Sequence, residues 1–344
     1  MRKSQKIKIY ILGITLLVIP LFTQASPVDT NLTIFQKLVQ DSIVHITLEA
    51  DFDSLFNYKK LTAEQKATLT LVTSDSTTHQ LSIKVKTRGV YRRRYCDVPP
   101  LRLNFSKEDL DTLGLNNDFD KLKLVTHCME NETAEQVLLR EYWTYKLHNS
   151  LTPNSFKVHL IKITYINSRN KRDKSEKLAF LIENNDEMAN RIGGKLVDRW
   201  GTKPSQVKES ALHNSMLFNY MIGNLDWNLA RQRNIKLVEL PNEEKLVIVP
   251  YDFDMSALVF PSYARLNPDF KQRKFTDRFC VGRFESKEAI KQTTAKFEPL
   301  KSVYFKNINQ CPYLDYKSKL QMKLFLKSFF QPLTKEKTWK KRFL

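Results

Sequence analysis

Residues 224–254 constrain this chain more than any other stretch. Asn224-Leu225-Asp226-Trp227-Asn228 reads as a loop and residues 234–240 as a strand. Pro241-Asn242-Glu243-Glu244 is a turn, and residues 245–250 form a second strand that runs into Tyr251-Asp252-Phe253-Asp254. Pairing the two strands as a simple hairpin sets Leu240 opposite Lys245 and therefore Asn234 opposite Tyr251. The start of one strand then lies beside the end of the other, which gathers Asp226, Asn234, Asp252 and Asp254 at one end.

Three carboxylates that close repel and resist ionisation, a difficulty that a divalent cation removes. Magnesium prefers hard oxygen ligands and takes one or two carboxylates, with the rest from water and phosphate. The cluster therefore reads as a magnesium–nucleotide site with Asn234, Asp252 and Asp254 as metal ligands. The same order, an Asp, then an Asn, then an Asp-Phe-x triplet after a hairpin, serves phosphoryl transfer in protein kinases.

The remainder of the chain divides in composition. Residues 43–48, 67–72, 80–86 and 101–105 have the alternation or β-branched content of strands. Apolar positions return at helical spacing over residues 132–149, and Thr152-Pro153 ends that run. Residues 157–166 and 177–182 read as strands flanking a charged hairpin tip at 168–175. Beyond Glu183 the pattern turns helical: residues 205–223 carry an apolar face that stops at Gly223, and 287–330 hold two or three amphipathic helices. The expected fold is α+β and bilobed, with a β-rich lobe over residues 26–183 and a mostly helical lobe over 184–344 that contains the hairpin.

Gly223-Asn224-Leu225-Asp226-Trp227, Asn234 and Pro250-Tyr251-Asp252-Phe253-Asp254 resemble the active-site stretch of the CotH kinase family. Lys86-Thr87-Arg88-Gly89 is similar to that family's early Arg-Gly strand end, and residues 100–105 to its following basic strand. Phe180-Leu181-Ile182-Glu183 resembles the strand that enters its interlobe hinge. The likeness covers about residues 80–260. It implies an atypical kinase-like fold that binds ATP with Mg2+ and phosphorylates protein hydroxyls. Carried over, Asp226 is the base or orienter for the attacking hydroxyl, Asn234 and Asp252 hold metal, and Arg102 or Arg88 meets nucleotide phosphate. Glu183 sits near the adenine, and Glu141, on the helix of residues 132–149, pairs with the basic residue. Asp226 and Asn234 lie further apart than in typical kinases, which leaves Asn228 as an alternative metal ligand. Arg102 stands where a lysine is expected, and no glycine-rich phosphate loop is visible. Transfer of a nucleotidyl group in place of phosphate is the variant reading of the same pocket.

The amino terminus has a signal-peptide layout over residues 1–25: Arg2, Lys3, Lys6 and Lys8, an apolar run from residue 9 to 22, and small residues at a cut after Ala25. That run is too short to span a bilayer, and no later stretch is long and apolar enough. Export to the periplasm, the cell envelope or the medium is the expectation, with no integral membrane segment after cleavage. Removing the leader lowers the formal charge from +19 to about +15, a surface suited to anionic partners. The basic residues are scattered and form no nucleic-acid motif, which leaves nucleotide and an exported protein substrate as the expected partners. The competing reading is a kinase-fold envelope scaffold that binds an acidic partner without catalysis. In an oxidising compartment, the short loops favour Cys96 with Cys128 and Cys280 with Cys311. The six histidines show no ligand spacing, and His127, His148 and His213 read as structural.

Overall fold

A computed structural model describes residues 32–40, 43–57, 63–72, 77–333 and 339–344, all of which belong to one unit. The leader expected over residues 1–25 lies outside these residues. Seven strands close into a barrel in the order β1-β2-β3-β4-β5-β7-β6. They are β1 (Val44–Ala50), β2 (Gln65–Val72), β3 (Thr78–Thr87), β4 (Leu101–Phe105), β5 (Lys121–Val125), β6 (Val158–Asn167) and β7 (Asn170–Ile182). Alternation sets the inward face: Val44, Ile46 and Leu48 on β1, Leu69 and Leu71 on β2, and Leu81, Ile83 and Val85 on β3 are all buried. Closure comes from a parallel pairing of β1 with β6, Val44 beside Ile161, which joins strands distant in sequence. Strand β7 reaches back to Asn170, so the charged segment expected as a hairpin tip is mostly strand.

Helices fill the connections. Helix α1 (Ile34–Val39) is capped by Thr33 with Gln36 in a capping box. α2 (Phe52–Asn57), α3 (Arg92–Tyr95) and α4 (Lys107–Thr112) are short, and α5 (Ala134–Leu151) crosses from β5 to β6. After β7 come α6 (Asn185–Arg191), β8 (Lys195–Val197) and α7 (Glu209–Ile222). β9 (Ile235–Glu239) and β10 (Val247–Pro250) form the hairpin and complete a three-stranded sheet in the order β10-β9-β8. The carboxyl-terminal part is helical: α8 (Lys287–Phe297), α9 (Leu300–Gln310), α10 (Tyr316–Leu333) and α11 (Trp339–Phe343). The fold is thus mixed α+β, with a β-rich region followed by a helical one. No helix among the described residues is long and apolar enough to cross a membrane.

Two hydrophobic clusters hold these elements. One fills the barrel. The larger packs α5 and the outer faces of β6 and β7 against α7, the hairpin and α8 to α11, so it draws on both sides of residue 183. Helix α7 is buried almost all round, from Ala211 to Ile222. It stops at Gly223, whose φ of 66° suits glycine, and where a Cβ would come within 2.7 Å of the Ala257 Cβ.

Candidate active site

The end of α7 aims the first carboxylate. Asn224 donates from Nδ2 to Asn219 Oδ1 at 2.9 Å and accepts from the Asp226 backbone N–H at 2.9 Å, a turn that fixes the Asp226 backbone. Asn228 and Arg233 exchange two backbone hydrogen bonds of 3.0 Å, and Asn228 Oδ1 accepts from the Arg231 N–H at 2.8 Å. Asn228, the alternative metal ligand, therefore closes this loop and does not line the cavity. The closed loop absorbs the long spacing and returns Asn234 to Asp226. Asn234 Nδ2 donates to the Asp226 carbonyl at 2.5 Å and to Asp226 Oδ2 at 2.9 Å.

The hairpin has the register read from the sequence. Val247 faces Val238 and Pro250 faces Ile235, and the Tyr251 N–H donates to the Asn234 carbonyl at 3.0 Å. Asn234 and Asp252 both adopt positive φ, 55° and 61°, uncommon outside glycine and found where the surroundings enforce them. Tyr145 on α5 supplies part of that enforcement, because its hydroxyl accepts the Asp252 backbone N–H at 2.8 Å. The Asp252 carboxylate accepts no hydrogen bond from the described residues. Burial, with Asp254 adding to it and Arg92 and Arg88 opposing, pushes its pKa up to about 6.

A buried ion-pair network adjoins it. Arg92 on α3 reaches Glu141 Oε2 from Nη2 at 2.5 Å and Asp254 Oδ2 from Nε at 2.8 Å. Tyr263 Oη also donates to Asp254 Oδ2 at 3.2 Å, and the Met255 N–H to Oδ1 at 2.8 Å. Burial raises the Glu141 carboxyl, with Arg92 opposing. Burial alone would lower the Arg92 guanidinium; Asp254 and Glu141 outweigh it and hold it well above its ordinary value. Asp254, read as a metal ligand, thus has both oxygens engaged by protein donors. Glu141 does form an ion pair, but with Arg92, which sequence reasoning missed within the run Arg92-Arg93-Arg94.

A cavity of about 770 Å³ joins these groups, with Arg88, Arg92, Glu141, Asp226, Asn234, Asp252 and Asp254 in its walls. Arg88 makes no ion pair among the described residues. Two expected members lie elsewhere. Arg102 on β4 sits 3.6 Å from Glu64 on a half-exposed face, because alternation turns it away from the cavity. Glu183 is buried beside it: Oε1 accepts from the Lys157 N–H at 2.5 Å, and Arg191 pairs with it at 2.6 Å, while the preceding Ile182 lines the cavity. Lys123 on β5 was not singled out from the sequence, although Lys121-Leu122-Lys123-Leu124-Val125 alternates as a strand should. Its Nζ lies 4.4 Å from the Phe156 ring centroid and 5.4 Å from that of Tyr251, and donates to Asn185 Oδ1. Burial, then Arg88 and Lys236, pull its pKa well below the usual lysine value.

The donor set fits a hard divalent cation. Asp252 offers a half-buried carboxylate that accepts no hydrogen bond from the described residues, and Asn234 offers an amide oxygen while its nitrogen is occupied by Asp226. The cysteines meet expectation in one pair. Cys96 and Cys128 form a disulfide, whereas Cys280 and Cys311 are free thiols. Short loop length lowers the closure cost but does not orient two Cβ atoms toward each other; Cys311 is buried in the larger hydrophobic cluster and Cys280 packs against it, both as free thiols.

No protein-family model matches the chain, and no curated protein matches it. Among solved structures it is similar to a crystal structure of the Helicobacter pylori proinflammatory kinase CtkA, with 11% identity, covering 69% of this chain and 92% of that one at a TM-score of 0.40.

Proposed function

We propose that the cavity binds ATP with Mg2+ and that the protein transfers a phosphoryl group to a hydroxyl of an exported protein, on a bilobed kinase-like fold. The observation that carries this reading is the meeting of Asp226, Asn234 and Asp252 in the lining of one cavity, through a closed loop and a hairpin. Asn234 and Asp252 would hold magnesium, which when bound neutralises phosphate charge. Arg88, which lines the cavity and makes no ion pair among the described residues, meets phosphate oxygens through its guanidinium fork.

Asp226 is half-buried and lines the cavity, with Arg233 at 3.3 Å. Burial raises its pKa, with Arg233 opposing, and a more basic carboxylate is a better proton acceptor. It orients the acceptor hydroxyl and takes its proton as the hydroxyl oxygen bonds to the terminal phosphorus and the bond to the bridging oxygen breaks. Arg92 acts behind these groups by tying α5, through Glu141, to the segment after the hairpin, through Asp254. Export brings the chain to compartments where the Cys96–Cys128 disulfide persists.

Incubation of the chain with ATP and Mg2+, followed by intact-mass analysis of the chain and of candidate acceptors, tests the reaction. A phosphoryl adduct supports it. A nucleotidyl adduct assigns the pocket to the other transfer, and nucleotide binding without any adduct under magnesium would favour the scaffold reading.

A further inference from the structure

His213 on α7 is 4% exposed, and its Nε2 makes no hydrogen bond among the described residues. A buried polar atom left unpaired costs free energy, so its surroundings call for a reason. The nitrogen is closed to solvent but not to charge. Glu285 Oε2 lies 2.8 Å from it, close enough for a hydrogen bond yet out of line for one. Glu209 stands one helical turn before His213, at the first position of α7, and that spacing sets both side chains on one face of the helix. Among the described residues, Glu209, His213 and Glu285 form the one group of three histidine, cysteine or acidic side chains whose ligating atoms all lie within 4.8 Å of one another.

Both glutamates are exposed, and exposed carboxylates alone would mean little. These two converge on a buried imidazole nitrogen, and in a chain of net charge +19 neither is paired with a lysine or arginine among the described residues. Glu209 and His213 line a surface cavity together with Lys208, Lys245 and Lys296; Lys208 is held by Glu243 at 2.5 Å, and none of the three lysines pairs with either glutamate. That cavity shares no lining residue with the Asp252 cavity. Packing holds the third donor in place. The Phe284 ring centroid is 4.6 Å from that of His213, the Phe284 N–H donates to the Phe343 carbonyl at 2.9 Å, and Ser286 caps α8, so Glu285 lies between two anchored residues.

One imidazole nitrogen with two carboxylates is a donor set for a first-row divalent ion such as zinc, whereas magnesium takes oxygen ligands. Atoms bound to one zinc at about 2.0–2.2 Å stand at most about 4.4 Å apart, so a small rotation of the exposed glutamate side chains closes the set. We propose that Glu209, His213 and Glu285 bind Zn2+, with water completing the shell, and that the ion clasps the start of α7 to the segment entering α8. With its proton on Nδ1, the neutral imidazole presents the Nε2 lone pair to the metal, and the two carboxylates balance the charge of the ion. Histidine spacing does not reveal the site, because the other two donors are glutamates and one comes from a distant segment.

Calorimetric titration of the tag-free, EDTA-treated full chain with Zn2+, in a background of excess Mg2+ that occupies oxygen-only sites, tests this. Saturable binding is expected, and it should persist in Asp252→Ala, which separates this site from the one proposed for nucleotide. Loss of an outer-shell partner weakens metal sites by roughly 10–100-fold, so removal of a ligand in Glu209→Gln or Glu285→Gln should cost at least about tenfold. Both side chains are exposed, and circular dichroism checks that the variants fold. Zn2+ should also raise the urea midpoint of the wild type and leave that of Glu285→Gln where it is. Absence of saturable Zn2+ binding, its loss in Asp252→Ala, or unchanged affinity in either glutamine variant would each overturn the assignment.

Discussion

Arg92 and Glu141 stand 49 residues apart in sequence and 2.5 Å apart in the fold, both buried. With Asp254 on the other side of the guanidinium, this pair joins α3, α5 and the segment after the hairpin at the base of the cavity. Arg92→Ala would leave two buried carboxylates without a cation and should destabilise the protein by about 3–5 kcal/mol. Urea unfolding measures this. Arg92→Met combined with Glu141→Gln should recover part of the loss, because the double change leaves one fewer uncompensated charge; equal losses in both variants would show that Arg92 matters through packing alone.

The hairpin register was legible from sequence because strand alternation and a short turn leave few pairings open. Arg92 was not legible: which member of Arg92-Arg93-Arg94 is buried depends on where Glu141 and Asp254 arrive, and neither is local. The same holds for barrel closure, since the parallel pairing of β1 with β6 leaves no trace in either strand. Glu183 ends the strand read from the sequence, and Arg191, eight residues further on at the end of α6, claims its carboxylate, a partner that strand alternation does not reveal.

Glu187 predicts a pH dependence of stability. Burial pushes its carboxyl from an ordinary 4.5 up to about 7, opposed by the Thr33 hydroxyl, which donates to Oε1 at 2.5 Å. A raised carboxyl pKa means that the folded state binds the extra proton, so its stabilisation is complete below pH 4.5 and disappears as pH rises through 7. Glu187→Gln should flatten the decline between pH 5 and 8 by on the order of 2 kcal/mol. Urea midpoints across that range decide it, and parallel curves for the two proteins would contradict it.

The disulfide closes a loop of 32 residues and should contribute about 3 kcal/mol, lost on reduction. Alkylation of the unreduced chain after unfolding should label two cysteines, Cys280 and Cys311. In the folded chain Cys280 should react slowly, since burial pushes its thiol up to about 12. Labelling of all four cysteines without reductant would contradict the pairing.

Asp226→Asn should separate binding from turnover. The side chain lines the cavity and keeps its contact with Asn234 as an amide, so nucleotide affinity should change little while transfer falls by about 10²–10⁴. Equal losses in nucleotide affinity and rate would instead place Asp226 in the binding of nucleotide.

On the proposed reading the Asp252 carboxylate holds magnesium for a nucleotide. Calorimetric titration of ATP into the wild-type chain and Asp252→Ala, each with and without Mg2+, tests it most directly. The wild type should bind ATP more tightly with Mg2+ than without it, by about tenfold or more, and Asp252→Ala should lose that difference while remaining folded. Equal ATP affinity in both proteins, with no response to Mg2+, would contradict the claim.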